Sequence, residues 1–144
     1  MINQIFESLI TIVNFFNDPE QDEVLLKKVG NNDKNLLPIV VRVGRQPEIS
    51  VGELAKQLGK NHSSVSRQIR KLENKGFIYS LNKSEDKRIR MVVLAPKGEK
   101  IYKDITAVRY QLLTELFSNL KEEEIINIAN SLKTLRELLP IKNI

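Results

Sequence analysis

Residues 61–75 read Asn-His-Ser-Ser-Val-Ser-Arg-Gln-Ile-Arg-Lys-Leu-Glu-Asn-Lys, and the fold turns on how this stretch is understood. Val65, Ile69 and Leu72 recur at four- and three-residue steps, which sets them on one side of an α-helix. At about 100° per residue the opposite side carries Ser63, Arg67, Arg70 and Asn74, flanked by Ser66 and Lys71. Guanidinium forks suit guanine edges and phosphates, and short hydroxyls hydrogen-bond at close range. A narrow apolar stripe opposite such a face is what a helix in a DNA major groove requires. Basic helix faces are more often simply solvated, so the neighbouring sequence has to decide.

Upstream, Val51, Leu54, Ala55 and Leu58 mark a shorter helix, and Gly59 allows a sharp turn after it. Asn61 is placed to cap the second helix, with the backbone N–H groups of Ser63 and Ser64 within reach of its side chain. Gly76 is placed to end that helix as its C′ residue. Two helices joined by a short glycine-containing turn make a helix-turn-helix. Downstream, Phe77–Leu81 and Met91–Leu94 are rich in large apolar and β-branched residues and predict two short strands. The connecting segment 82–90 carries Lys83, Lys87, Arg88 and Arg90 against Glu85 and Asp86. A hairpin with a basic tip after such a helix is a wing. In an extended segment Asp86 and Arg88 would share a side, so that the carboxylate could hold the guanidinium out towards a minor groove or phosphate. The plain alternative is a surface ion pair worth less than about 1 kcal/mol.

Residues 51–98 resemble the winged helix-turn-helix of the MarR (multiple-antibiotic-resistance regulator) family of transcription factors. The resemblance rests on Ser50-Val51-Gly52-Glu53-Leu54-Ala55, Val65-Ser66-Arg67, Leu72-Glu73-Asn74-Lys75-Gly76-Phe77-Ile78, Asp86-Lys87-Arg88 and Leu94-Ala95-Pro96-Lys97-Gly98. Ala95 departs from the Thr or Ser usual at that position, where the next helix is capped. The resemblance implies a short third strand over Glu48–Val51 beside the wing. It also implies a homodimer with intertwined terminal helices, and often release from DNA when a small aromatic ligand binds between the DNA-binding and dimerisation parts. Tyr102, Arg109 and Tyr110, on the helix that connects those parts, are the candidates for contacting such a ligand, or else ordinary interface residues.

Charge supports a polyanion partner. Residues 60–97 hold ten Lys or Arg and three acidic residues, residues 1–59 six and eight, and residues 98–144 seven of each. The whole positive excess of this +5 chain therefore falls on the predicted recognition helix and wing. The 144 residues suit one well-buried domain, and no apolar run reaches the roughly 18 residues of a membrane span. The N-terminal residues show neither a basic n-region nor a cleavage site, so a cytoplasmic protein is expected. With no cysteine and only His62, these residues offer no thiol redox chemistry, thiolate metal site or multi-histidine centre. Neither a phosphate-binding glycine loop nor a catalytic constellation appears, and neither an enzyme nor a cofactor is expected.

The flanks predict further helices. Over Met1–Phe16, Ile2, Ile5, Phe6, Leu9, Val13 and Phe16 form one stripe, widened by Ile10, Ile12 and Phe15 beyond what packing against a single body needs. Glu23–Val29 and Leu36–Val43 read as short helices, Pro96–Leu120 as a long one and the segment after Lys121 as the last, ended by Pro140. The fold expected is mainly α with a small β wing, a single MarR-like domain over 1–144. Residues 35–97 would form the winged helix-turn-helix, and residues 1–30 and 98–144 the helical dimerisation part. On this reading Ser63, Ser66, Arg67 and Arg70 lie at base edges or flanking phosphates of double-stranded DNA, Asn61 and Lys71 at phosphates, and Arg88 at the minor groove with Asp86, Lys87 and Arg90; Ser64 is counted with the DNA-binding residues. Two alternatives stay open: a non-specific architectural DNA binder, and a winged helix used for protein contacts.

Overall fold

Side chains of Asp18, Ser50 and Asn61 cap three of the helices in the computed structural model, which describes residues 1–82 and 85–140. In chain order the elements are α1 (Ile2–Phe16), α2 (Pro19–Lys28), α3 (Leu36–Arg45), β1 (Ile49–Ser50), α4 (Val51–Leu58), α5 (His62–Asn74), β2 (Ile78–Asn82), β3 (Arg90–Leu94), α6 (Pro96–Leu116) and α7 (Glu122–Leu138). The architecture is mainly helical with one small antiparallel sheet, as the sequence predicts. No helix among the described residues is long and apolar enough to cross a membrane.

Several boundaries move from their predicted places for local reasons. The helix expected from Glu23 begins at Pro19, because the Asp18 carboxylate accepts the Glu20 N–H at 3.0 Å and proline fits the first helical position. The long helix expected to run to Leu120 stops at Leu116. The next helix starts at Glu122, where the Glu124 carboxylate reaches back to the Lys121 N–H at 2.8 Å. The departure at Ala95 does not prevent α6 from forming. Ala95 donates its N–H to the Phe77 carbonyl at 3.0 Å, and Pro96 opens the helix.

The sheet order is β1-β3-β2, so the two-residue strand implied before α4 is present and pairs Ile49 with Val92 and Ser50 with Met91. In the hairpin Ile78 faces Leu94, Ser80 faces Val92 and Asn82 faces Arg90. Strand β2 begins one residue later than predicted because Phe77 still belongs to the end of α5. Gly76, at φ 80°, donates its N–H to the Glu73 carbonyl, and Phe77 donates to that of Leu72. This is the Schellman arrangement, which needs a left-handed residue at C′ and brings Phe77 against Leu72 in the core.

The chain forms two compact units, Met1–Val108 and Arg109–Ile144. The core of the first unit draws on Leu25 and Leu26 of α2, one face of α3, Leu54 of α4, Val65, Ile69 and Leu72 of α5, Ile78 and Val92 of the sheet, and Ile101 and Ile105 of α6. Helix α1 buries no residue and leaves Ile2, Phe6, Val13 and Phe16 at least half exposed. In the second unit α7 likewise buries nothing, and Tyr110, Leu116, Ile126, Leu132 and Leu138 are exposed.

Gly98 locks the start of α6 against the end of α5. A Cβ at this position would fall 1.9 Å from the Phe77 carbonyl oxygen, a main-chain atom that cannot swing aside. Helix propensity alone would favour alanine over glycine by about 1 kcal/mol. The clash reverses that sign, and Gly98→Ala is expected to destabilise the protein by roughly 1–3 kcal/mol in urea unfolding. A variant as stable as the parent would mean that this junction can open without cost.

Candidate nucleic-acid interface

Helix α5 presents the predicted face. Asn61 accepts the Ser64 N–H at 2.8 Å and so caps the helix. The stripe of Val65, Ile69 and Leu72 is buried, at 0%, 0% and 1% exposure. Ser63, Arg67, Arg70, Lys71 and Asn74 are exposed on the other side, and Ser64 and Ser66 are half-buried. His62 lies exposed in the first turn with its Nδ1 3.3 Å from the Ser66 hydroxyl. Among the described residues, Arg67, Arg70, Lys71, Lys87 and Arg88 take part in no ion pair, so their charges are available to a partner.

The helix is held from two sides. On one side the 31–35 loop is shaped by side-chain acceptors: Asn31 takes the Asp33 N–H at 2.8 Å and Asp33 takes the Asn35 N–H at 3.0 Å. Lys75 then reaches Asp33 at 2.8 Å, and the Asp33 carboxyl is held below its usual range chiefly by that hydrogen bond, against partial burial. At the helix exit Lys97 donates to the Lys75 carbonyl at 3.0 Å with its ammonium 4.4 Å from the centre of the Phe77 ring. On the other side Glu73 binds the wing, through the Ser80 hydroxyl on β2 and the Arg90 guanidinium on β3 at 2.8 Å.

The wing differs in detail from the expectation. Residues 86–89 form a turn, not an extended segment, and Asp86 accepts the main-chain N–H of Arg88 at 3.0 Å. The carboxylate therefore shapes the tip backbone, and the Arg88 guanidinium is left exposed and unpaired among the described residues. Arg90, grouped with Arg88 from the sequence, is engaged by Glu73 at the base of the wing. Lys83, counted with the basic tip, lies outside the described residues.

Comparison with known proteins agrees with this geometry. Residues 35–89 match the family model described as the MarR family. This chain carries a MarR family domain. The HTH-type transcriptional regulator BilQ of Clostridium symbiosum is 32% identical over 89 residues, which cover 62% of each chain. The chain spans 42% to 62% of the length of the first curated relatives it matches. Among solved structures, Streptococcus pneumoniae FabT in complex with DNA superposes with a TM-score of 0.70 at 24% identity, covering 95% of this chain and 96% of that one. A MarR family protein from Bacillus stearothermophilus gives 0.76 at 16% identity, over 95% and 96%. At these identities the likeness establishes the winged-helix fold.

Beside the MarR family domain the three ligand candidates part company. Tyr102 stacks on Gly44, where an added Cβ would meet the ring at 2.5 Å, and lines a pocket of about 330 Å³ with Val43, Pro47, Val93, Leu94, Glu99 and Lys103. Arg109 and Tyr110 are exposed, belong to the second unit and do not line that pocket. Glu73, Ser80 and Asp33 were not singled out as site residues from the sequence. For Glu73 the available signal was an acidic side chain within a stretch otherwise dominated by Lys and Arg.

Proposed function

We propose that this chain is a sequence-specific, DNA-binding transcriptional regulator of the cytoplasm, a repressor that binds a pseudo-palindromic operator as a homodimer. The observation that carries the reading is the set of cations on the exposed face of α5 and at the wing tip that take part in no ion pair among the described residues, in the one part of the chain with excess positive charge. In this reading Ser63, Ser66, Arg67 and Arg70 face base edges or flanking phosphates, and Asn61, Ser64 and Lys71 lie by the backbone. Arg88 and Lys87 reach the minor groove from the turn shaped by Asp86. Residues 35–97 bind DNA and residues 1–30 and 98–144 pair the subunits, apart from Leu25, Leu26, Ile101 and Ile105, which are given to the core. Pairing would set two recognition helices about 34 Å apart, one turn of DNA. Control by a small aromatic ligand falls to the pocket beside Tyr102. The proposal contains no catalytic step.

The test is binding of the purified protein to its own promoter region and to a scrambled duplex across a salt series. A preference of about a thousandfold or more, with a steep salt slope, is expected. Equal affinity for both duplexes would leave an architectural DNA binder, and no binding at low salt would leave a protein-contact module. Arg67→Ala is expected to relax discrimination at one base pair by about 1–3 kcal/mol. An equal loss on every duplex would place Arg67 on phosphate alone.

A further inference from the structure

Among the described residues the Glu73 carboxylate is the one side-chain polar tie between the recognition helix and the strands of the wing. Its two oxygens go to different strands, one to the Ser80 hydroxyl on β2 and the other to Arg90 Nη2 on β3 at 2.8 Å. Strand alternation puts Ser80, Asn82, Arg90 and Val92 on the face turned to α5. At the base of that face Ile78 and Val92 are buried in the core. Beyond them the hairpin carries polar side chains, and apolar packing no longer fixes it. Among the described residues no other side-chain hydrogen bond or ion pair joins α5 to β2 or β3. The side chains of Glu73 and Arg90 are 24% and 31% exposed, so water and salt screen the pair less than a surface pair.

We propose that Glu73 is a positioning residue for DNA recognition. By clamping both strands of the wing it sets the wing's angle to α5, and so brings Arg88 to the DNA while Arg67 and Arg70 occupy the major groove. The proposal rests on the DNA-reading function above and adds to it an acidic residue that touches no DNA. It also gives Arg90 a different role from Arg88: a neutralised strut in place of a phosphate contact.

The sign of the effect separates positioning from bulk electrostatics. Removing the Glu73 carboxylate raises the net charge by one and frees the Arg90 cation, which on charge alone strengthens binding to any duplex. Positioning requires the opposite on the operator, because the outer part of the wing, beyond the β1–β3 pairing, loses its tie to α5 and must be ordered again on binding.

The experiment uses the full chain with the promoter-region duplex and the scrambled duplex. Glu73→Ala is expected to lose roughly tenfold in affinity for the promoter duplex, the equivalent of ordering a few side chains anew, while holding or gaining on the scrambled one. Amide exchange in residues 78–82 and 90–94 should quicken in the DNA-free protein. In an Arg88→Ala background the Glu73→Ala loss should vanish, since there is no longer an arginine to place. Ser80→Ala, which removes the β2 arm alone and leaves α5 untouched, should act in the same direction at smaller size. Unchanged or tighter promoter binding by Glu73→Ala, unchanged wing exchange, or a full loss persisting without Arg88 would each overturn the proposal. A parent protein that does not distinguish the two duplexes would instead defeat the DNA-reading function itself, and the proposal with it.

Discussion

Replacing Ile69 with alanine is expected to lower the stability of the DNA-free protein by about 2–5 kcal/mol. Ile69 is fully buried between Val65 and Leu72, on the side of α5 opposite Arg67 and Arg70. Its loss removes apolar burial and leaves a cavity where the recognition helix rests on the rest of the core. In urea the midpoint should fall with an unchanged slope, at a fixed protein concentration so that any association does not move the baseline. Arg67→Ala, two residues away and exposed, should change stability by no more than about 0.5 kcal/mol. One helix thus separates the two properties: the buried stripe governs folding and the exposed face governs DNA reading. A loss below about 1 kcal/mol at Ile69 would mean that the neighbouring side chains close the gap, and that α5 is held mainly by its polar clamps.

The helix and its flanks were legible because each depends on neighbours in sequence. The spacing of Val65, Ile69 and Leu72, the cap at Asn61 and the glycine at Gly76 are short-range signals, and α5 is built from them. The winged-helix order followed from the same kind of pattern. Asp18-Pro19 is a short-range signal of the same kind, a cap followed by a proline at the first helical position, and α2 starts there. The Asp86–Arg88 contact was misjudged because the extended geometry assumed for it holds in a strand, whereas the two residues lie in a turn. Spacing alone does not tell a side chain from a main-chain N–H.

The partners of the clamps were not legible. Glu73 meets Ser80 seven residues away and Arg90 seventeen away, and Lys75 meets Asp33 forty-two residues away. These pairings follow from the strand register and from how α2, α3 and α5 pack, and neither can be read from periodicity. Arg67, Arg70, Lys71, Lys87 and Arg88, which take part in no ion pair among the described residues, stand out only after Lys75 and Arg90 have been assigned to carboxylates. The electrostatic footprint was visible in the charge count, but its division between DNA-facing and structural cations required the fold.

The apolar surface of α1 leads to the other large effect. Phe6 and Val13 lie on its stripe at 59% and 50% exposure, and the helix buries nothing within its own unit. Water-facing apolar area of this extent calls for a covering partner, and a second copy of the chain is the partner the proposed function requires. The double substitution Phe6→Glu, Val13→Glu adds two charges to that stripe without entering the core, so the winged-helix part should stay folded. Sedimentation is expected to show a monomer, and affinity for a two-half-site operator should fall by about 10²–10⁴, the advantage of binding the second half-site within one complex. Affinity for a single half-site should hardly change, because α5 and the wing are untouched. A dimer that persists would remove α1 from the interface. A monomer that still binds the full operator with undiminished affinity would show that two recognition helices are not joined on one site, and the two-fold reading would have to be given up.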